Sequence, residues 1–102
     1  MMQRFTDDAQ KVLSLAQEAA LELGHDYVGT EHVLIGLTKV KNSVAAKALE
    51  ELGIVTENIV EAVEDHVGRG NKKATSIYMT PSVKYILELA VQMANRMNHN
   101  YV

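Results

Sequence analysis

At 102 residues, 47% apolar and 23% charged, the chain has the size and balance of one globular domain, too short for separate cofactor and substrate domains. It contains no Cys, which excludes a disulfide framework, a thiolate metal site and a Cys nucleophile, and its 5% aromatic content without Trp argues against a stacking platform for single-stranded nucleic acid. The net charge of −3 is unevenly spread: residues 1–68 carry −7 and residues 69–102 carry +4. The longest apolar stretches fall far short of the roughly 20 residues that span a bilayer, and the N-terminus lacks the apolar core of a signal peptide, so a soluble protein is expected.

Helix punctuation recurs along the chain. Thr6 is placed to N-cap a helix over 7–23 whose first turn holds Asp7 and Asp8, and Gly24 stops it. Val12, Ala16, Ala19 and Leu23 give that helix one apolar face. Gly29-Thr30-Glu31-His32 reads as a loop, an N-cap at Thr30 and a first turn, opening an apolar second helix expected at the centre of the core. Gly36 within it points to a close approach by another helix. Ser43 caps a third helix over 44–52, and Thr56 a fourth over 57–67, ended by Gly53 and Gly68. Arg69, Lys72 and Lys73 then lie in a solvated linker over 69–79, and Thr80-Pro81 opens a fifth helix running to about Met97.

A shift of 74 residues superimposes the fifth helix on the first. Over Phe5–Val28, eight of twenty-four positions are identical: Thr6, Leu13, Leu15, Ala16, Ala20, His25, Tyr27 and Val28. This is an internal repeat whose second copy, residues 80–102, stops where the counterpart of Gly29-Thr30-Glu31-His32 would begin. The expectation is one complete four-helix repeat over 1–68 and the first helix of a truncated second, within a single compact domain. Met93 and Met97 read as core. If their partner helices are missing, that face is exposed and a dimer or an exchange of helices between chains follows.

Phe5-Thr6, Ala9-Gln10-Lys11-Val12-Leu13, Leu23-Gly24-His25, Gly29-Thr30-Glu31-His32-Val33-Leu34-Ile35-Gly36-Leu37 and Ala45-Ala46-Lys47-Ala48-Leu49 together resemble the Clp repeat of the N-terminal domains of ClpC-type Hsp100 AAA+ unfoldases. The resemblance spans essentially the whole chain, including Gly68-Arg69-Gly70 and Tyr78-Met79-Thr80-Pro81. It implies an all-α Clp N-terminal repeat fold and a bacterial cytoplasmic, non-catalytic domain that receives adaptor proteins and substrates for a ring that feeds a ClpP-type protease. Phe5, Gln10 and Met79 are its candidate adaptor or substrate contacts. No Walker-type phosphate loop is present, so no cofactor is expected here and ATP belongs to downstream modules.

Gram-positive members of the family also bind phosphoarginine. There the phosphate rests near the N-terminus of a repeat's first helix and the Glu of Gly-Thr-Glu-His takes the guanidinium. The matching residues are Thr6 with Glu31 in the first repeat and Thr80, with Lys84 as a possible cation, in the second. Open N–H groups and the positive helix end attract phosphate, and a carboxylate suits a guanidinium fork. A basic residue often stands two positions after the capping Thr, but here Asp8 and Ser82 occupy those places, and Asp7 with Asp8 repels an anion at the first helix.

Plainer roles stand beside these. The Thr residues are sufficient as caps, Glu31 favours its helix start by charge, and His25 and His99 follow helix ends, where a ring interacts well with the last carbonyls. No His pair has metalloprotease spacing, so no metal is expected, and no nucleophile, base and orienter can be named for a small hydrolase. A helical nucleic-acid-binding domain is the alternative reading. The +4 tail favours it and the −7 first part argues against it.

Overall fold

The computed structural model describes residues 4–71 and 77–102, so Lys72 and Lys73 lie outside the described residues. Among the described residues five helices carry the fold: α1 (Asp7–Glu22), α2 (Thr30–Lys39), α3 (Val44–Glu51), α4 (Thr56–His66) and α5 (Pro81–Arg96). Two short strands, β1 (Tyr27–Val28) and β2 (Tyr78–Met79), pair in parallel with Tyr27 opposite Tyr78 and Val28 opposite Met79. Two-residue strands have no periodicity to read. β2 falls within the span expected to be linker.

The caps explain where the helices begin. Thr6, Ser43 and Thr80 accept the amide protons of Ala9, Ala46 and Val83 through their hydroxyls, satisfying donors that an α-helix leaves open. Two expected caps move by one residue. Gly29, not Thr30, is the N-cap of α2, because its N–H is taken by the ring of His32. Val55, not Thr56, caps α4, since the Thr56 hydroxyl donates to Thr38 Oγ1 at 2.9 Å, and Thr38 in turn to the Ile35 carbonyl at 2.7 Å. The Thr56 hydroxyl thus fastens α4 to α2 instead of closing its own first turn.

Helix α2 packs on α1, α3 and α4 and also touches α5, the central place that its apolar sequence requires. Gly36 is where it meets α1. A Cβ there would run into the Val12 carbonyl and come within 3.2 Å of the Ala16 nitrogen, so only glycine lets the helices approach this closely. Ala19 of α1 and its C-cap Leu23 share one core with Ile35, Ile59 and Val63. On the other side of α1, Phe5 and Leu13 pack with Val83 and Leu87 of α5.

The internal repeat holds at the level of hydrogen bonds. The chain leaves α1 through Gly24 at φ 76° and leaves α5 through Asn98 at φ 60°, the matching position. His25 N–H returns to the Ala20 carbonyl at 2.9 Å and His99 N–H to the Ala94 carbonyl at 2.8 Å. Burial departs from the repeat. Val12 and Ala19 of α1 and its C-cap Leu23 are buried, whereas their counterparts Ile86 and Met93 of α5 and its C-cap Met97 are exposed, 45% for Met93 and 60% for Met97, contrary to the core role expected for these methionines.

Candidate functional site

The two ends of the repeat are joined crosswise. Thr80 N–H donates to the Val28 carbonyl at 3.1 Å, so the start of α5 is tied to the strand leading into the Glu31 turn. At the matching position Thr6 N–H donates to the Val102 carbonyl at 3.2 Å, and Val102 N–H to Arg4 at 2.8 Å. The family resemblance pairs Thr6 with Glu31 inside one repeat. The backbone instead links the Glu31 turn to Thr80, in the other copy.

The two helix starts differ in charge. Asp7 and Asp8 stand exposed in the first turn of α1, opposing an incoming anion. The first turn of α5 has no acid. Pro81 has no N–H, and Thr80 takes up the amides of Val83 and Lys84, which leaves the backbone N–H of Ser82, an exposed residue, as the first-turn donor for an anion, with the exposed Lys84 two residues further on and one turn from Thr80.

Glu31 lies in the first turn of α2, with its carboxylate folded back over Gly29, where an added Cβ would come 2.5 Å from Oε1. It sits 3.7 Å from His32 Nδ1 and lines an apolar groove of about 430 Å³ between α2 and α4 with Leu34, Ile59, Val63 and Val67. Burial first, and then the Glu31 charge, hold the Tyr27 hydroxyl protonated above the ordinary phenol range. Tyr78, Asp26 and a hydrogen bond to Glu31 act in the same sense.

Beneath this turn two histidines meet. His32 is wholly buried and His25 is 6% exposed. His25 Nδ1 lies 2.9 Å from His32 Nε2, Gly29 N–H reaches His32 Nδ1 at 2.8 Å, and His25 Nε2 lies 2.9 Å from the Gly68 carbonyl. The Tyr27 ring stacks on His25 at 5.2 Å. The His25 ring therefore does not cap the helix it follows; only its backbone N–H returns to that helix. Its ring bridges to the chain leaving α4, while His99, its copy, is exposed. Sequence reasoning missed this pair because the two rings are seven residues apart across a turn and not on one helix face. The recurrence of His25 at His99 was the available signal.

Other expected contacts fall in varied places. Phe5 is 4% exposed, so its ring belongs to the core and is withdrawn from an adaptor surface. Gln10 is exposed and its amide donates to the Phe5 carbonyl at 3.1 Å. Met79 is half-buried against the α1–α5 core. Arg69, read as solvated linker, is engaged: its guanidinium donates to the Glu22 carbonyl at 3.1 Å and pairs with Glu64 at 3.4 Å. That removes one cation from any continuous basic face. Among the described residues, no helix is long and apolar enough to cross a membrane.

Comparison with known proteins agrees with this architecture. The family model for the Clp repeat (R) N-terminal domain matches residues 4–102. The chain is 48% identical over 102 residues to the negative regulator of genetic competence ClpC/MecB of Bacillus subtilis (strain 168), covering all of this chain and 13% of that protein. It is 46% identical, with the same coverage, to the chaperone protein ClpB of Oceanobacillus iheyensis. The crystal structure of the N-terminal domain of the caseinolytic protease associated chaperone ClpD from Arabidopsis thaliana matches with a TM-score of 0.80 at 28% identity, over 100% of this chain and 72% of that one. The chain thus spans about an eighth of the length of the curated relatives it matches, 13% in each case.

Proposed function

Because the chain belongs to the Clp repeat N-terminal domain family, we propose that it is a non-catalytic receptor for adaptors and protein substrates of a ClpC-type unfoldase that serves a Clp protease, and that it recognises phosphoarginine. The ATP-dependent step is assigned to modules outside this domain. The observation that carries the phosphoarginine reading is the bond from Thr80 N–H to the Val28 carbonyl, which ties an acid-free helix start to the turn bearing Glu31. Ser82 N–H, the α5 dipole and Lys84 favour the phosphate, and the Glu31 carboxylate favours the guanidinium. The α1 end is less suited, since Asp7 and Asp8 repel the same phosphate.

Calorimetric titration with free phosphoarginine tests this. Saturable binding is expected, weakened at least about tenfold in Glu31→Ala and in Thr80→Ala, unchanged in Thr6→Ala, and absent with arginine plus phosphate. No binding by a protein whose helical circular dichroism is intact would refute the phosphoarginine reading.

A further inference from the structure

The hydrogen bonds around the two buried rings fix where their protons sit. Gly29 N–H can only donate, so His32 Nδ1 accepts and the His32 proton is on Nε2. That N–H points at His25 Nδ1, which must accept, so His25 carries its proton on Nε2 and donates it to the Gly68 carbonyl. Each ring is neutral, each ring nitrogen is used, and the chain of donors runs one way from Gly29 to Gly68. One more proton has no place in it. On His32 Nδ1 it would face the Gly29 N–H. On His25 Nδ1 it would face the His32 N–H, and His32 could yield only by moving its own proton towards Gly29.

We infer that His25 and His32 form a neutral relay that positions the Gly29–Glu31 turn against the start of the chain beyond α4, and that acid breaks the relay and weakens ligand binding at Glu31. The ligand half of this rests on the phosphoarginine reading above. The relay half does not.

The surrounding groups do not reverse the sign. Glu31, 3.7 Å from His32 Nδ1, favours a charged ring. Burial outweighs it, and His25 adds to burial, so the His32 pKa lies below that of a free histidine. From β1, Tyr27 stacks on His25 and meets His32 edge-on at 5.4 Å, its hydroxyl held protonated. Asp26 and, from β2, Tyr78 act on Tyr27. Beyond α4, the Arg69 charge is engaged by the Glu22 carbonyl and Glu64. On α4 itself, His66 is exposed, and its Nδ1 bonds the Ala62 carbonyl.

The test has two arms on the intact 102-residue chain. In the first, without ligand, long-range nitrogen NMR reads the tautomer of each ring from pH 7.5 to 5, and amide exchange reads Gly29. Both rings are expected in the Nε2–H form at pH 7.5. The Gly29 protection factor is expected to fall roughly tenfold per pH unit once protonation begins. An Nδ1–H ring, or a protonated His32 beside an unchanged Gly29 amide, would overturn the relay.

In the second arm, phosphoarginine affinity is followed over the same range in the unaltered chain, in His32→Asn and in His99→Gln. The Asn Oδ1 stands where the ring Nδ1 does, so it can accept from Gly29 N–H without titrating. Affinity is expected to drop at least about fivefold more steeply with acid in the unaltered chain and in His99→Gln than in His32→Asn, a comparison that cancels the ligand's own titration. Equal slopes in all three would overturn the coupling. Absence of binding at every pH would overturn the ligand half through the functional reading itself, while the first arm still decides the relay. If His32→Asn fails to fold, the tautomers and the Gly29 amide of the unaltered chain carry the decision.

Discussion

Thr80 donates its amide proton to the Val28 carbonyl at 3.1 Å, and the matching Thr6 donates to the Val102 carbonyl at 3.2 Å, the two donors and the two acceptors each being related by the 74-residue repeat shift. Each repeat's first helix is therefore anchored at its start to the segment that follows the first helix of the other copy. The site proposed at Thr80 and Glu31 would then be a product of the two copies together.

The repeat makes equivalent positions unequal. Ala19 is 4% exposed beneath α2 and α4, while its copy Met93 is 45% exposed. Ala19→Lys is expected to cost about 3 kcal/mol or more by burying a charge without a partner, and Met93→Lys to stay within about 0.5 kcal/mol. Urea unfolding of both variants checks this. Equal losses would contradict the packing described.

Gly36→Ala is expected to destabilise by about 1–3 kcal/mol, because the added methyl meets the backbone of α1, which cannot yield as a side chain could. For a domain of this size that lowers Tm by roughly 4–8 °C per kcal/mol. A thermal melt at the parent temperature would place the α1–α2 contact elsewhere.

Phe5→Ala is expected to cost about 3–5 kcal/mol, the usual loss for a large ring removed from a core, since Phe5 packs on Leu13, Val83 and Leu87. Any effect on adaptor binding should then track the loss of fold seen by circular dichroism. A stable Phe5→Ala protein with selectively lost adaptor binding would restore the surface role read from the sequence.

The buried His32 gives stability a pH dependence. Its folded pKa is lowered by burial, so the unfolded chain takes up the proton first, near the ordinary value of about 6.5. Its contribution is complete above about pH 6.5 and is lost as pH falls through the depressed folded pKa. Urea midpoints are expected to fall between pH 7.5 and 5, and a flat profile would contradict a neutral His32.

Much of the helical layout is legible in the sequence, because Thr6, Ser43 and Thr80 are local caps and Gly24, Gly53 and Gly68 are local stops. The central α2 and the close approach at Gly36 follow from an apolar helix with a glycine inside it. What escapes is non-local. Thr30 and Thr56 look like caps until His32 takes the Gly29 amide and Thr38 takes the Thr56 hydroxyl. The Tyr27–Tyr78 pairing joins segments 51 residues apart through two-residue strands, so no alternation announces it. The repeat identifies Thr6 and Thr80 as equivalents, but only the folded backbone ties Thr80 to the turn of Glu31.

Amide chemical-shift mapping with phosphoarginine tests the central claim most directly. The account expects the largest shifts at Ser82, Lys84 and the Gly29–Glu31 turn, with Asp7 and Asp8 little moved. Shifts centred on Asp7, Asp8 and Val102, or none at saturating ligand, would contradict it.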